Sequence, residues 1–181
     1  MKKVFIGGSR RLSRLNKDVR SRLDQIVDRK LHVLLGDANG ADKAIQTYFK
    51  ERSYPYVSIF CTAGQCRNNL GAWPVQTVAA PHKARDFEFF AAKDAAMARE
   101  ADVGLMIWDG ESSGTIVNVA RLVGRGRPVV LYVAPSQSFQ TVKSSSQFED
   151  VLRSCPAEIR TRIDRYVAEH AHEYGRPELF G

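Results

Sequence analysis

Three short apolar runs in this chain each stop at a small polar loop containing glycine, and helical spacing follows. That repetition constrains the fold more than any other feature. Lys3-Val4-Phe5-Ile6 ends at Gly7-Gly8-Ser9-Arg10, and Leu31-His32-Val33-Leu34-Leu35 ends at Gly36-Asp37-Ala38-Asn39-Gly40-Ala41-Asp42. The third run, Val103 to Trp108, ends at Asp109-Gly110-Glu111-Ser112-Ser113-Gly114-Thr115. Runs of this length bounded by turn residues read as buried strands. The segments after them are amphipathic: Arg14 to Arg29 carries Leu15, Val19, Leu23, Ile26 and Val27 on one side, and Ala41 to Lys50 carries Ile45 and Phe49. Ile116 to Val123 has the same helical spacing.

Two more strands are expected at Val57–Cys61 and Pro128–Val133, and a helix at Ala84–Glu100 with Phe87, Phe90, Ala91, Met97 and Ala98 along one side. Strands alternating with helices predict a parallel sheet covered on both faces. With right-handed crossovers this is a Rossmann-like, doubly wound α/β domain of at least five strands. Ligands of such sheets sit outside the carboxyl ends of the strands, where the strand order reverses. All three glycine-containing loops open on that edge. Residues 1–134 are expected to form this nucleotide-binding domain. Residues 135–181 read as a polar linker (136–146) and a helical tail, with helices at Phe148–Leu152 and Glu158–Glu169, packed on the same domain or on a partner subunit. The stretch 62–81 reads as an irregular excursion over the surface, partly packed through Trp73.

A chain of 181 residues suits one domain with a sizeable core. No apolar run approaches the roughly 20 residues of a membrane span. The apolar run after Met1-Lys2-Lys3 is too short for an export signal, so the expected location is cytoplasmic. Three cysteines, none in a C-x-x-C pair, read as reduced thiols. Cys61, Cys66 and His82 fit no common zinc spacing, so no metal site is expected. The formal charge of +7 suits an anionic partner. Much of the excess lies at Arg10, Arg11, Arg14, Lys17, Arg20 and Arg22, but no aromatic residues interleave there. Nucleic-acid binding is therefore the weaker reading, and a solvated basic face the stronger.

The Asp109–Thr115 loop has two readings. Ser112, Ser113 and Thr115 cap a helix start, and such a start offers free N–H groups and a positive dipole end to a phosphate or carboxylate. Alternatively it is a well-capped turn without ligand. Asp37 is either an acceptor for ribose hydroxyls or a turn cap, Asp42 is a second ribose candidate, and Asp109 is a ligand contact or only a brace for its loop. Arg10 and Lys93 offer charge-assisted contacts or are solvated and paired, respectively.

The Val4–Arg10, Gly36–Asp42 and Trp108–Thr115 motifs, with Lys93-Asp94, Met97 and Ala101-Asp102, resemble the SLOG superfamily over residues 3–134. This Rossmann-like group includes the LOG-type phosphoribohydrolases, the DNA-processing protein A core and the YspA-like proteins, of which the YspA-like branch is nearest. The resemblance implies a nucleotide or ADP-ribose-like ligand with its phosphate on the Gly114-Thr115 helix start. Its base or ribose would lie near Gly7, Gly8, Ser9, Arg10, Gly36, Asp37 and Asp42. The implied contacts continue through Lys93, Asp109, Gly110, Ser112, Ser113 and Asn118. A homodimer pairing through helices that flank the site is also implied. In the LOG-type G-G-x-G-T-x-x-E pattern the glutamate position is Asn118, and the arginine position is Lys93. An amide takes no proton at neutral pH, so the ligand is expected to be held rather than cleaved. The alternatives are a nucleotide N-glycosidase using Glu111 or Asp94 as relocated carboxylates, and DNA binding.

Overall fold

A computed structural model describes residues 1–64, 66–79 and 87–169. In chain order the elements are β1 (Lys3–Gly8), α1 (Lys17–Asp28), β2 (His32–Gly36), α2 (Ala41–Glu51), β3 (Val57–Thr62), β4 (Val75–Val78) and α3 (Phe87–Glu100). They continue with β5 (Val103–Trp108), α4 (Ser113–Gly124), β6 (Val129–Val133), β7 (Ser138–Val142), α5 (Ser145–Ser154) and α6 (Ala157–Glu169). The strands form one seven-stranded sheet in the order β4-β3-β2-β1-β5-β6-β7. Every neighbouring pair is parallel except β6 with β7. The fold is a doubly wound α/β sheet. No helix among the described residues is long and apolar enough to cross a membrane.

The central strands are buried on both faces, which is why they read as near-continuous apolar runs. On one face α1 and α2 bury Val19, Leu23, Ile26, Ile45, Tyr48 and Phe49 against the sheet. On the other, α3 and α4 bury Met97, Ala98, Ile116, Val119 and Leu122. Behind α4 the same core continues into α5 and α6 through Phe148, Val151, Ile163 and Val167. Each fully buried aliphatic or aromatic side chain contributes about 1.5–3 kcal/mol by leaving water.

Two strands depart from the sequence reading, and both are sheet edges. Val75-Gln76-Thr77-Val78 lies inside the expected excursion and pairs with β3; Val75 remains 44% exposed. Ser138-Phe139-Gln140-Thr141-Val142 lies inside the expected linker and pairs antiparallel with β6 after a turn in which Gln137 takes φ 48°. Edge strands bury little, so their composition stays polar and their periodicity weak. The rest of the excursion is held by named bonds. Trp73 Nε1 donates to the Tyr54 carbonyl at 2.8 Å, and Gln46 Nε2 donates to the carbonyls of Gly36 (3.0 Å) and Asn68 (3.2 Å).

Cys61 and Cys66 form a disulfide with a Cα–Cα distance of 5.2 Å, which corrects the reading of reduced thiols. Ala63 and Gly64 take φ of 58° and 79°, and the chain doubles back on the end of β3. A separation of five residues does not announce that turn. Cys155 is a free, buried thiol. His82 and the first residues of the helix expected from Ala84 lie outside the described residues.

Candidate functional site

The strand order reverses between β1 and β5, the two strands that grow away from each other on either side of the switch point. At their carboxyl ends lies a cleft of about 660 Å³, within the size range of small-molecule sites. The loops around it are tied together by backbone and short side chains. Ser9 N donates to the Ile107 carbonyl at 3.0 Å, and the Ser9 carbonyl accepts from Ala41 N at 3.1 Å. Ser9 Oγ donates to Asp109 Oδ2 at 2.6 Å. Asp109 Oδ1 accepts from the N–H groups of Glu111 (3.0 Å) and Ser112 (2.7 Å). These bonds outweigh burial and hold the Asp109 carboxyl below the usual range. Asp109 therefore braces its loop.

Two glycines allow this close packing. A Cβ on Gly8 would stand 2.7 Å from the Ile107 carbonyl and 2.8 Å from Ala41 Cβ. Gly40, at φ 79°, lies against the Arg10 carbonyl, where any side chain would collide with backbone.

Of the sequence-predicted residues, Gly7, Gly8, Ser9 and Arg10 line the cleft on the β1 side. Asp42, Lys93, Asp94 and Asn118 form its floor and wall, and Asp109, Glu111, Ser112, Ser113, Gly114 and Thr115 form the α4 side. Gly36, Asp37 and Gly110 do not line it. Gly36 sits beneath the floor, where a Cβ would run into Asp42 and lie 2.8 Å from Lys93 Nζ. Gly110 takes φ 87°, and a Cβ there would stand 3.0 Å from Pro135 Cγ. Asp37 is turned to Arg67. It accepts from Arg67 N (3.0 Å), Nε (3.2 Å) and Nη2 (2.7 Å), and it borders a neighbouring hollow instead. Against burial, the Arg67 bonds and the Lys93 charge hold the Asp37 carboxyl low.

Ala38, inside the predicted Gly36–Asp42 loop, also lines the cleft; the sequence reading missed Phe5, Arg11, Phe90, Ala91, Met97 and Arg162. The helical spacing places Phe90 on a core face, yet its ring carries the Arg10 guanidinium at 5.0 Å and that of Arg67 at 4.7 Å. Arg162 comes from α6, and no sequence signal links that tail to the loops.

The floor is a buried charge cluster. Lys93 is 4% exposed, and its Nζ donates to Asp94 Oδ1 at 2.8 Å and lies 4.0 Å from Asp37 Oδ1. Burial opposes the ammonium, but Asp94, Asp42 and Asp37 together keep its pKa above the ordinary lysine value. Asp94 is likewise opposed by burial and held low by Lys93 and by the Asn118 Nδ2 bond at 3.0 Å. Asp42 is different. Burial, with Asp94 and Asp37 nearby, outweighs Lys93 and the Ala38 N–H and pushes its carboxyl up to about 6. Asn118 lies in the second turn of α4, and its Oδ1 accepts from Arg121 Nη1 at 2.8 Å.

The start of α4 is open. Asn16 caps α1 by accepting from Val19 N, and Ser144 caps α5 by accepting from Gln147 N. Ser112, at the equivalent place in α4, makes no side-chain cap bond; its Oγ accepts from Thr115 Oγ1 at 3.2 Å. α2, which begins after Gly40, has no side-chain cap bond either; what distinguishes α4 is that its uncapped first turn, Ser113-Gly114-Thr115, lines the cleft.

Compared with protein-family models, with curated proteins and with solved structures, the chain matches none.

Proposed function

We propose that the cleft binds a nucleotide or nucleotide derivative, with a phosphate on the open first turn of α4. The observation that carries this reading is the uncapped start of α4 at the β1/β5 switch point, inside a cleft that Arg10 also lines. A helix start of this kind donates several N–H groups to one anion and adds its dipole. The resemblance to SLOG proteins supports the same placement. Titration calorimetry with a panel of nucleoside phosphates, NAD and ADP-ribose tests it. Saturable binding of at least one of them is expected, and no heat with any of them overturns it.

The protein is proposed to hold this ligand as a sensor or regulatory module. Asn118 spends both ends of its amide on Asp94 and Arg121, and Asp94 is engaged by Lys93. Neither group is left with the free proton-transfer role that cleavage of a glycosidic bond requires. A homodimer enters this proposal through the resemblance alone, since Phe89 is buried within the subunit and Phe90 walls the cleft. Light scattering should return twice the chain mass; a value near 20.3 kDa overturns the dimer.

A further inference from the structure

The segment that follows β3 is fastened at two points. Upstream, the Cys61–Cys66 bridge ties it back to the buried end of β3. Downstream, Gln46 of α2 donates to the Asn68 carbonyl at 3.2 Å and accepts from Leu70 N at 3.0 Å. Arg67 lies between them. It gives Asp37 its backbone N–H at 3.0 Å and two guanidinium N–H groups at 3.2 and 2.7 Å. That backbone N–H belongs to the peptide bond joining Arg67 to Cys66, so moving Cys66 moves the donor. The Arg67 guanidinium also lies over the Phe90 ring at 4.7 Å. Asp37 Oδ1 in turn stands 4.0 Å from Lys93 Nζ in the floor of the cleft. A continuous line of contacts therefore runs from the disulfide to the floor cluster.

The two sulfurs differ in access. Cys61 is fully buried, whereas Cys66 is half-buried and lines the hollow of about 350 Å³ beside the cleft. Thr62 lines the same hollow. It is 6% exposed, and its hydroxyl finds no hydrogen-bond partner among the described residues. A buried hydroxyl in that state gains from any polar atom brought to it. Disulfide exchange depends on which sulfur an incoming thiolate reaches, and exposed bridges are the labile ones. The closed bridge also goes with Ala63 at φ 58°, a left-handed conformation that a Cβ disfavours. Opening the bridge frees the chain to leave it.

We infer that the Cys61–Cys66 bridge is a thiol-exchange site: a small polar thiol enters the hollow, attacks Cys66 and, by opening the bridge, releases Arg67 from Asp37. The incoming thiolate bonds to Cys66 Sγ, the Sγ–Sγ bond breaks, and Cys61 leaves as a thiolate that takes up the proton the thiol gave. A second thiolate attacks the sulfur of the bound thiol, and Cys66 leaves and is protonated in the same way. Two thiols become one disulfide, and two electrons pass to the bridge. Asp37 then keeps Lys93 as a cationic neighbour, and the ammonium is drawn between Asp37 and Asp94. Phe90 loses the Arg67 charge from its ring while still walling the cleft. The thiol state of the surroundings thus reaches the floor and wall of the cleft, whatever ligand the cleft takes.

The full chain, oxidised with glutathione disulfide and then incubated with reduced glutathione, tests the exchange by alkylation and peptide mass mapping. In native buffer Cys61 and Cys66 should become alkylated with the circular dichroism unchanged, and the trapped intermediate should carry glutathione on Cys66. Thr62→Val should slow the opening by about threefold or more, the net worth of one hydrogen bond. Carbon-13 NMR of the aspartate carboxyls tests the release. The Asp37 carboxyl, held low by Arg67, should titrate about one unit higher after reduction. In Arg67→Gln it should already titrate there, and reduction should move it no further. Cys66→Ser, which leaves the buried Cys61 in place and cannot close the bridge, should match the reduced parent. No bridge in glutathione disulfide, opening only in denaturant, unfolding on reduction, or an adduct on Cys61 instead overturns the proposal. Equal opening rates in Thr62→Val do the same, as does an Asp37 titration that reduction leaves unchanged or shifts equally in the parent and in Arg67→Gln.

Discussion

Asn118 Nδ2 donates to Asp94 Oδ2 at 3.0 Å while the Oδ1 of the same side chain accepts from Arg121 at 2.8 Å. One amide thus serves a carboxylate on one side and a guanidinium on the other, which a carboxylate or an ammonium at this position cannot do. With Asp94 already facing position 118, a second carboxylate would satisfy Arg121 and repel Asp94. The amide is the side chain that this particular neighbourhood fits.

Asn118→Asp should accordingly destabilise the protein, because it sets two carboxylates about one hydrogen-bond length apart in a buried place. A loss of about 1–3 kcal/mol is expected at pH 8. The loss should shrink at pH 5, where the two carboxylates can share a proton. Urea denaturation at the two pH values measures both. Equal losses would mean that the Asp94 contact does not govern this position.

Thr115 is buried, and its hydroxyl holds Ser112 Oγ rather than any backbone group. Thr115→Ala should leave the fold intact and weaken the bound nucleotide by about 0.5–1.5 kcal/mol, the net worth of one hydrogen bond. Unchanged affinity by calorimetry would remove the Thr115 side chain from the site and leave only backbone N–H groups to hold the phosphate.

Free base should not accumulate when the protein is incubated with a panel of nucleoside monophosphates. Chromatography would detect it. Multiple turnover that survives Asn118→Ala and is lost in Glu111→Gln or Asp94→Asn would replace the binding module with a hydrolase.

The pH dependence of stability carries two opposite contributions. Asp42 titrates near 6 in the fold, above its ordinary value of 3.8, so the fold favours its protonated form. That contribution is full below about pH 3.8 and is lost as pH rises through 6. Asp37, Asp94 and Asp109 are held low, and their contribution is present above the ordinary range and lost as pH falls through their folded values. Asp42→Asn isolates the first. From pH 4 to pH 7 its stability relative to the parent should rise by up to about 3 kcal/mol. Its loss of attraction to Lys93 offsets the whole curve without changing that slope. A flat difference between the two proteins would show that Asp42 titrates normally.

Legibility in the sequence follows burial. Val103–Trp108 and Val57–Cys61 announce themselves because a strand buried on both faces must be apolar throughout. The loops after β1, β2 and β5 are visible because a chain that turns sharply and approaches backbone closely needs glycine, as Gly8 and Gly40 do. Val75–Val78 and Ser138–Val142 were not visible as strands, since an edge strand's bonds lie in its backbone and leave the composition free. Asp37 shows a different limit. Its motif marks it as a cleft residue, but the side chain that claims it, Arg67, lies thirty positions away in the excursion. Arg162 lies further still from the loops it joins, and only the packing of α6 on α4 brings it there.

Lys93 is the buried ammonium of the floor cluster, and its removal should show how that cluster is balanced. In Lys93→Met the carboxylates of Asp94, Asp42 and Asp37 lose the charge that offsets their burial, while Arg67 still holds Asp37. Breaking a buried pair by deleting one partner costs about 3–5 kcal/mol. The cost should fall as pH is lowered to 5, because Asp42 and Asp94 then take up protons and no longer need a counter-charge. Asp94→Asn in the same chain should recover part of the loss at pH 7.5, since it removes the carboxylate that Lys93 approaches most closely. Denaturant unfolding of the parent, both single variants and the double variant gives the interaction energy directly. A double variant no more stable than Lys93→Met would mean that Lys93 serves the cluster through packing and not through its charge.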